Sequence, residues 1–232
     1  MISAASAVWP AIAAAWCVLL PAALLLRWRV TRGARLLPAL AGALVFIVFA
    51  QGLEGALHYL ALYREHAFSR AIGANPWLYM LYGALAAGVF EETGRYVAFR
   101  RLIGRKRYPE RDAAVTYGVG HGGIESILLA LALLAERPER LTPGYCLLVM
   151  LERTAAIGLH VALSCFVFLA ARDGTKRLWF PFAIALHAIV DMPAALYQRG
   201  MLPLWAVELW LCVAALYALR SARKRYLEEM DP

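Results

Sequence analysis

Residues 5–26 read ASAVWPAIAAAWCVLLPAALLL, a run of 22 residues without a charged side chain. A helix needs about 20 apolar residues to cross the roughly 30 Å hydrocarbon core of a bilayer, so this run is long enough to do so. No Lys or Arg precedes it, as a secretory signal peptide would require, and we therefore expect a retained helix. The run predicts an α-helical membrane protein.

Further apolar runs follow along the chain, at residues 36–62, 76–99, 113–135, 144–171, 178–197 and 203–219. Together they predict an all-α, polytopic transmembrane bundle of about seven helices. The composition, 62% apolar and 17% charged, is typical of membrane proteins. No soluble segment or repeat is visible, so we expect residues 1–232 to form a single integral membrane domain. The four cysteines lie inside apolar runs and are interpreted as packing residues: Cys17, Cys146, Cys165 and Cys212.

The net charge of +8 comes from Lys and Arg clustered between the apolar runs. This clustering excludes the basic face of a nucleic-acid-binding protein. Every second connection is rich in Lys and Arg, and these connections together carry 17 such residues, whereas the others carry five. The Lys/Arg-rich connections are residues 27–35, 100–111, 172–177 and 220–225. Because positively charged connections stay in the cytoplasm, we expect the N-terminus outside and the C-terminus inside, in a bacterial cytoplasmic membrane. The last of these segments is expected to contact anionic lipid, which makes the bilayer a partner.

Three of the apolar runs contain a pair of ionisable residues four positions apart. Such side chains cost several kcal/mol near the bilayer centre, so each one inside a span indicates a functional site. Residues four apart share one helix face, and each pair should therefore point towards one neighbouring helix. The pairs are Glu91 with Arg95, His121 with Glu125, and His187 with Asp191.

The depth of these residues indicates that they belong to one cluster. Counted from the Lys/Arg-rich ends of their helices, Glu91, His121 and His187 lie at one level, on the order of 14 Å from the cytoplasmic boundary. Glu125 and Asp191 fall one turn deeper. The cluster is therefore predicted in the cytoplasmic-side half of the bundle. The glycines at 118, 120, 122 and 123 predict that their helix approaches its neighbours closely.

Several other polar residues allow two interpretations. Glu92 either shares in catalysis or tunes Glu91. Arg95 either belongs to the site or forms a structural ion pair with Glu91 that locks their helix, and it lies close enough to the interface to snorkel. His160 lies within a turn of the cluster, as a third imidazole or as a packing residue. The remaining polar residues near the outer helix ends are expected to form structural pairs or interfacial contacts: Glu152, Arg153, Glu54, His58 and Glu208.

Two routes to hydrolysis fit this cluster. His121, His187, His160 and Glu91 could bind a divalent metal such as zinc, with an open position for water. Alternatively, no cofactor is needed, and a buried Glu beside a His acts as the general base. The residues alone do not choose between these routes.

The motifs EETGR at 91–95, GHGGIE at 120–125 and HAIVD at 187–191 resemble the YhfC family of bacterial intramembrane metalloproteases. The chain also looks like a relative of the PrsW proteases and of the CAAX-processing and bacteriocin-immunity membrane proteases. The resemblance implies that Glu91 activates water. It also implies that His187 and Asp191 support the oxyanion or bind metal.

One motif departs from the pattern of the broader group, in which a Phe is followed four residues later by His or Glu. Here His121 stands at the Phe position and Glu125 at the acidic position, so either residue could position the water. Arg95 follows Glu92 after two intervening residues, which agrees with the PrsW pattern.

These features predict an intramembrane peptidase that hydrolyses a membrane-embedded or membrane-proximal peptide from a cavity open towards the cytoplasmic half. A peptide or protein substrate is the expected partner, and nucleic acid is not. Two alternatives stay open: an ion- or proton-coupled transporter, because buried Glu, His and Asp chains also relay protons, and a non-catalytic immunity or binding protein. The absence of an inverted repeat argues against the transporter.

Overall fold

The structure is a computed structural model that describes residues 4–104, 110–136 and 141–230. These residues contain eight helices and no strand. The helices are α1 (Ala4–Arg32), α2 (Leu37–Tyr63), α3 (Ala67–Ala74), α4 (Pro76–Gly104), α5 (Glu110–Ala135), α6 (Pro143–Arg172), α7 (Trp179–Gln198) and α8 (Leu204–Met230). Part of two predicted connections, with Arg105, Lys106, Arg107, Arg137 and Arg140, lies outside the described residues.

Each predicted span corresponds to one of the seven long helices, which confirms the polytopic helical bundle. Six of the seven are long and apolar enough to cross a membrane. The exception is α4, whose acidic and basic side chains lower its mean hydropathy. The short helix α3 was not predicted, because eight residues do not establish a helical period. The predicted end of the last helix at residue 219 was wrong, since α8 continues through the basic segment to Met230.

Helix α6 lies at the centre of the bundle. In its most apolar window 78% of residues are buried, against 22–50% in the other five apolar spans. It packs against α5 on one side and α8 on another, while α4 packs chiefly against α7. A polar residue on α6 is therefore surrounded by protein, and His160 is such a residue.

The outer faces of the bundle expose large apolar side chains. On α8, for example, Leu209, Val213 and Leu216 are all more than half exposed. In water such faces would drive aggregation, whereas lipid solvates them as well as a protein interior does. The four cysteines are free thiols, three of them buried, as their apolar surroundings predicted.

Helix α2 departs from α-helical geometry along much of its length. Phe46–Glu54 and Tyr59–Tyr63 form π-helical turns, separated by the α-helical segment Gly55–His58. Such wide turns often lie beside functional sites. Here the ring of Phe46 meets the imidazole of His121 edge-on, with 5.2 Å between the ring centroids.

Glycines allow α5 to contact its neighbours backbone to backbone, as predicted. A Cβ atom added to Gly118 would lie 2.5 Å from the Cα atom of Val161 on α6. We expect Gly118→Ala to force the two helices apart and to cost about 1–3 kcal/mol of stability, the usual effect of overpacking. Thermal unfolding of the purified variant in detergent measures this loss.

The matched control is Gly83→Ala in α4, where an added Cβ meets no atom within 4 Å. This substitution should leave stability unchanged or raise it slightly, because Ala is the better helix former. Equal unfolding temperatures for the two variants would contradict the close packing of α5 on α6.

Candidate active site

Three imidazole rings from three helices surround one carboxylate oxygen. His121 Nε2 on α5 donates a hydrogen bond to Glu91 Oε2 on α4 over 2.8 Å. His160 Nδ1 on α6 and His187 Nε2 on α7 each lie 4.0 Å from the same oxygen. All four side chains are buried. The convergence expected from their common depth is confirmed, and His160 is the third imidazole rather than a remote packing residue.

The outward-facing nitrogens of two of these rings are held by further carboxylates. His160 Nε2 donates to Glu125 Oε2 over 2.9 Å, and His187 Nδ1 donates to Glu92 Oε1 over 2.8 Å. Asp191 adds a contact of 3.4 Å to His187 Nε2. Such partners fix the tautomer and the orientation of an imidazole, so the inward nitrogens keep their direction.

Arg95 connects α4 to α6 inside the bundle. Its side chain has no solvent exposure, and its Nε lies 3.4 Å from Glu92 Oε2. One terminal nitrogen donates to the His160 carbonyl and to Ser164 Oγ, and the other donates to His160 Nδ1 over 3.2 Å. The snorkelling interpretation of Arg95 is therefore wrong, because the guanidinium is enclosed by protein and both of its terminal nitrogens bond to α6.

Only one of the three pairs spaced four residues apart also makes a direct contact within its own helix. His187 contacts Asp191 within α7. The shortest contacts of the other two motifs run between helices, from His121 to Glu91 and from Glu125 to His160. Spacing in the sequence shows which residues share a face, whereas the neighbouring helix decides which group each one meets.

The residues of this cluster fit a divalent metal ion. Ligand atoms of Glu91, His121 and His160 all lie within 4.8 Å of one another, and all three residues are buried. Imidazole nitrogens and a carboxylate oxygen are donors that zinc commonly takes in catalytic sites. His187 is oriented towards the same point. The lone pair that His160 Nδ1 would offer is here taken by Arg95, so metal binding would have to displace that hydrogen bond.

A cavity of about 720 Å³ adjoins the cluster. Glu125 and Asp191 form part of its wall, and each also contacts one of the clustered histidines. The side chains of Glu125 and Asp191 therefore lie between the cavity and the imidazole rings. Its walls come from the C-terminal halves of α2, α5 and α7 and from the N-terminal halves of α4, α6 and α8.

This cavity opens at the end of the bundle opposite the Lys/Arg-rich connections. The expectation of a cavity open towards those connections was wrong. Towards the Lys/Arg-rich side, the fully buried rings of Phe99 and Tyr117 pack together below the cluster, with 4.6 Å between their centroids. Two buried aromatic rings therefore lie between the cluster and the Lys/Arg-rich ends of α4 and α5.

The structure also corrects the interpretation of the outer polar residues. Glu54 and Glu208 are buried in the wall of the cavity, not placed at a lipid interface. Glu54 does form the expected helix-locking pair, 3.1 Å from His58. Arg153 pairs with Glu152 as predicted, but it also lies 3.0 Å from Glu125, which links this pair to the cluster. That link could not be predicted from the sequence, because it joins two helices.

Comparison with known proteins agrees with this geometry. The model of the family described as YhfC intramembrane metalloprotease matches residues 16–138 and 130–211. The chain is 33% identical to the uncharacterized membrane protein YhfC of Bacillus subtilis (strain 168), over 94% of this chain and 95% of the relative. No solved structure matches the chain. This multi-pass membrane protein, with its buried glutamate and histidine cluster, belongs to the YhfC intramembrane metalloprotease family.

Proposed function

We propose that this protein is an intramembrane metallopeptidase of the bacterial cytoplasmic membrane, which hydrolyses a membrane-embedded or membrane-proximal peptide. One observation carries the proposal: a glutamate oxygen lies within 4.0 Å of three imidazole nitrogens, inside a helical bundle and beside a large cavity. Peptide hydrolysis needs a base for water and donors for the oxyanion, and this cluster supplies both. The family description supports the same reaction.

Glu91 is the better candidate for the base of the two adjacent glutamates. The three imidazole contacts all use its Oε2 atom, so Oε1 is left to accept a proton from water. Glu92 has no exposure and is held between His187 and Arg95. A carboxylate fixed in this way orients its neighbours and does not reach a substrate, so we assign Glu92 a positioning role.

The metal would be held by His121, His160 and Glu91, with zinc as the ion that this donor set favours. When bound, such an ion polarises a carbonyl group and makes water acidic enough to yield a nucleophile near neutral pH. Glu125 keeps His160 in the tautomer that presents Nδ1 inwards. His187, aligned by Glu92 and Asp191, is placed to donate to the developing oxyanion.

The donor set of the cluster favours a hydrolase over a transporter. Three imidazoles converge on one carboxylate inside the bundle, which suits a metal ion that activates water. Arg95 holds this arrangement in place through its bonds to three groups of α6. With the orientation predicted from the charge bias, the cavity faces the outside, so the peptide would enter from the outer half of the membrane.

Purified protein in liposomes provides the test. We expect it to contain about one divalent metal ion per chain and to cut fluorogenic model peptides of about 20 apolar residues. Removing the metal with a chelator should stop cleavage, and returning zinc should restore it. Two negative results together would contradict the proposed peptidase. The metal-replete protein would cut no peptide of a broad panel, and the membranes of cells that make it would contain no new peptide termini.

A further inference from the structure

The cavity beside the cluster has a strongly acidic wall. Five carboxyl groups face it, against one guanidinium group, that of Arg153. The carboxyl groups come from five helices and belong to Glu54, Glu125, Glu152, Asp191 and Glu208. Acidic groups brought together in a membrane protein repel one another and are costly to bury, so an excess of this size calls for a compensating positive charge.

Four of the five carboxyl groups have such a partner within the protein. Glu125 and Glu152 share Arg153, and the remaining two contact histidines, Glu54 with His58 and Asp191 with His187. These contacts account for the guanidinium in the wall. Among the residues that the structure describes, they leave no further cation in the cavity wall to match the fifth carboxyl group.

The fifth group is Glu208 on α8. Its side chain is nine-tenths buried or more, with a residue exposure of 5%, yet its Oε2 atom has no hydrogen-bond partner among the described residues. Leaving a buried carboxylate oxygen unbonded costs free energy that the fold could avoid with a leucine. Glu208 is also part of the cavity wall. A buried acceptor without a partner at this position indicates a donor that arrives from outside the chain.

Tyrosines form another part of the cavity wall. Five of them line the same cavity: Tyr63, Tyr79, Tyr82, Tyr145 and Tyr197. Aromatic faces attract ammonium and guanidinium groups, and phenol hydroxyls bond to peptide groups. The wall thus combines an excess of negative charge with surfaces that accept a long basic side chain, while a peptide carrying Asp or Glu would be repelled by that excess.

We propose that this cavity is a specificity site that binds a Lys or Arg side chain of the substrate, with Glu208 as its principal carboxylate. The inference rests on the proposed peptidase function. Because Glu125 and Asp191 belong both to the cavity wall and to the histidine cluster, a basic residue bound here places the adjoining peptide bonds beside Glu91. The substrate is therefore a peptide with a basic residue near its outer membrane boundary.

Binding is measured on the full-length Glu91→Gln protein, so that cleavage does not deplete the probe. Three peptides of about 20 apolar residues carry a neutral fluorophore and differ at one position near the outer end, which is Lys, Gln or Glu. We expect the Lys peptide to bind about tenfold more tightly than the Gln peptide, and the Glu peptide to bind weakest. Adding Glu208→Gln should remove the preference for Lys and leave binding of the Gln peptide unchanged.

Glu228→Gln is the matched control, because it makes the same change on the same helix at an exposed residue near the other end. It should leave all three affinities unchanged. Equal binding of the Lys and Gln peptides by protein that retains Glu208 would overturn the proposal, whatever the folding of the variants. A clear Lys preference without cleavage of any peptide by the wild type would instead overturn the peptidase and leave the cationic site standing.

Discussion

Glu91→Gln is expected to lower the rate of peptide cleavage by about 100- to 10,000-fold, the usual contribution of a general base. The amide keeps the volume of the side chain and can still bond to His121, so folding and membrane insertion should be unchanged. The change removes the group that accepts the proton of water, and it also replaces a charged oxygen of the proposed metal site, so the metal content of the variant is measured beside its cleavage. Single-turnover cleavage of a labelled peptide in liposomes measures the change separately from product release.

Two comparisons make this result specific. Glu228→Gln removes a carboxylate from an exposed position on α8 and should cleave at the wild-type rate. Glu92→Gln should be slower than wild type, but it should retain more activity than Glu91→Gln, because it loosens His187 without removing the base. Wild-type cleavage by Glu91→Gln would refute the assignment, and Glu125 would then be the next carboxylate to consider.

His160→Ala and His121→Ala should each reduce the metal content of the purified protein to below about a tenth of the wild-type value. Each variant removes one of three ligand groups, and loss of a ligand lowers metal affinity far more than loss of an outer partner, which typically costs about 10- to 100-fold. Elemental analysis of protein after dialysis measures the content directly. Cleavage should fall in parallel with it.

His66→Ala is the control for this pair. His66 lies outside the cluster, where it accepts a hydrogen bond from the backbone of Ser69 at the start of α3. Losing this cap should cost about 1 kcal/mol of stability and should leave the metal content unchanged.

A wild-type protein that is free of metal and cleaves in the presence of chelator would exclude the metal route and leave the glutamate route.

The sequence was sufficient to predict the helices and the members of the cluster. Hydrophobic length located all seven long helices, because the thickness of the bilayer sets a single scale for them. Counting residues from the charged helix ends placed Glu91, His121 and His187 at one level, since each residue adds a fixed rise. His160 was recognised as a candidate in the same way, from its depth on a different helix.

The contacts between helices could not be predicted from the sequence. Arg95 was interpreted through its own helix, yet its bonds run to the His160 carbonyl and to Ser164 on α6. Which end of the bundle holds the cavity was also missed. The position of the cavity depends on where side chains fill the space between helices, and Phe99 and Tyr117 do so on one side of the cluster. No local sequence pattern indicates this filling.

The polarity of α4 has a consequence for how the protein is made. On insertion scales each charged residue at a helix centre costs about 2.5–3.5 kcal/mol, and α4 carries Glu91, Glu92 and Arg95 there. Glu92 and Arg95 contact each other within α4, but their other partners are synthesised later: Arg95 bonds to α6 residues 65–69 positions further along the chain, and Glu92 to His187, 95 positions further. A newly made α4 is therefore costly to release into lipid by itself. We expect its stable integration to wait for α6 and α7, so that insertion of α4 and assembly of the histidine cluster are coupled.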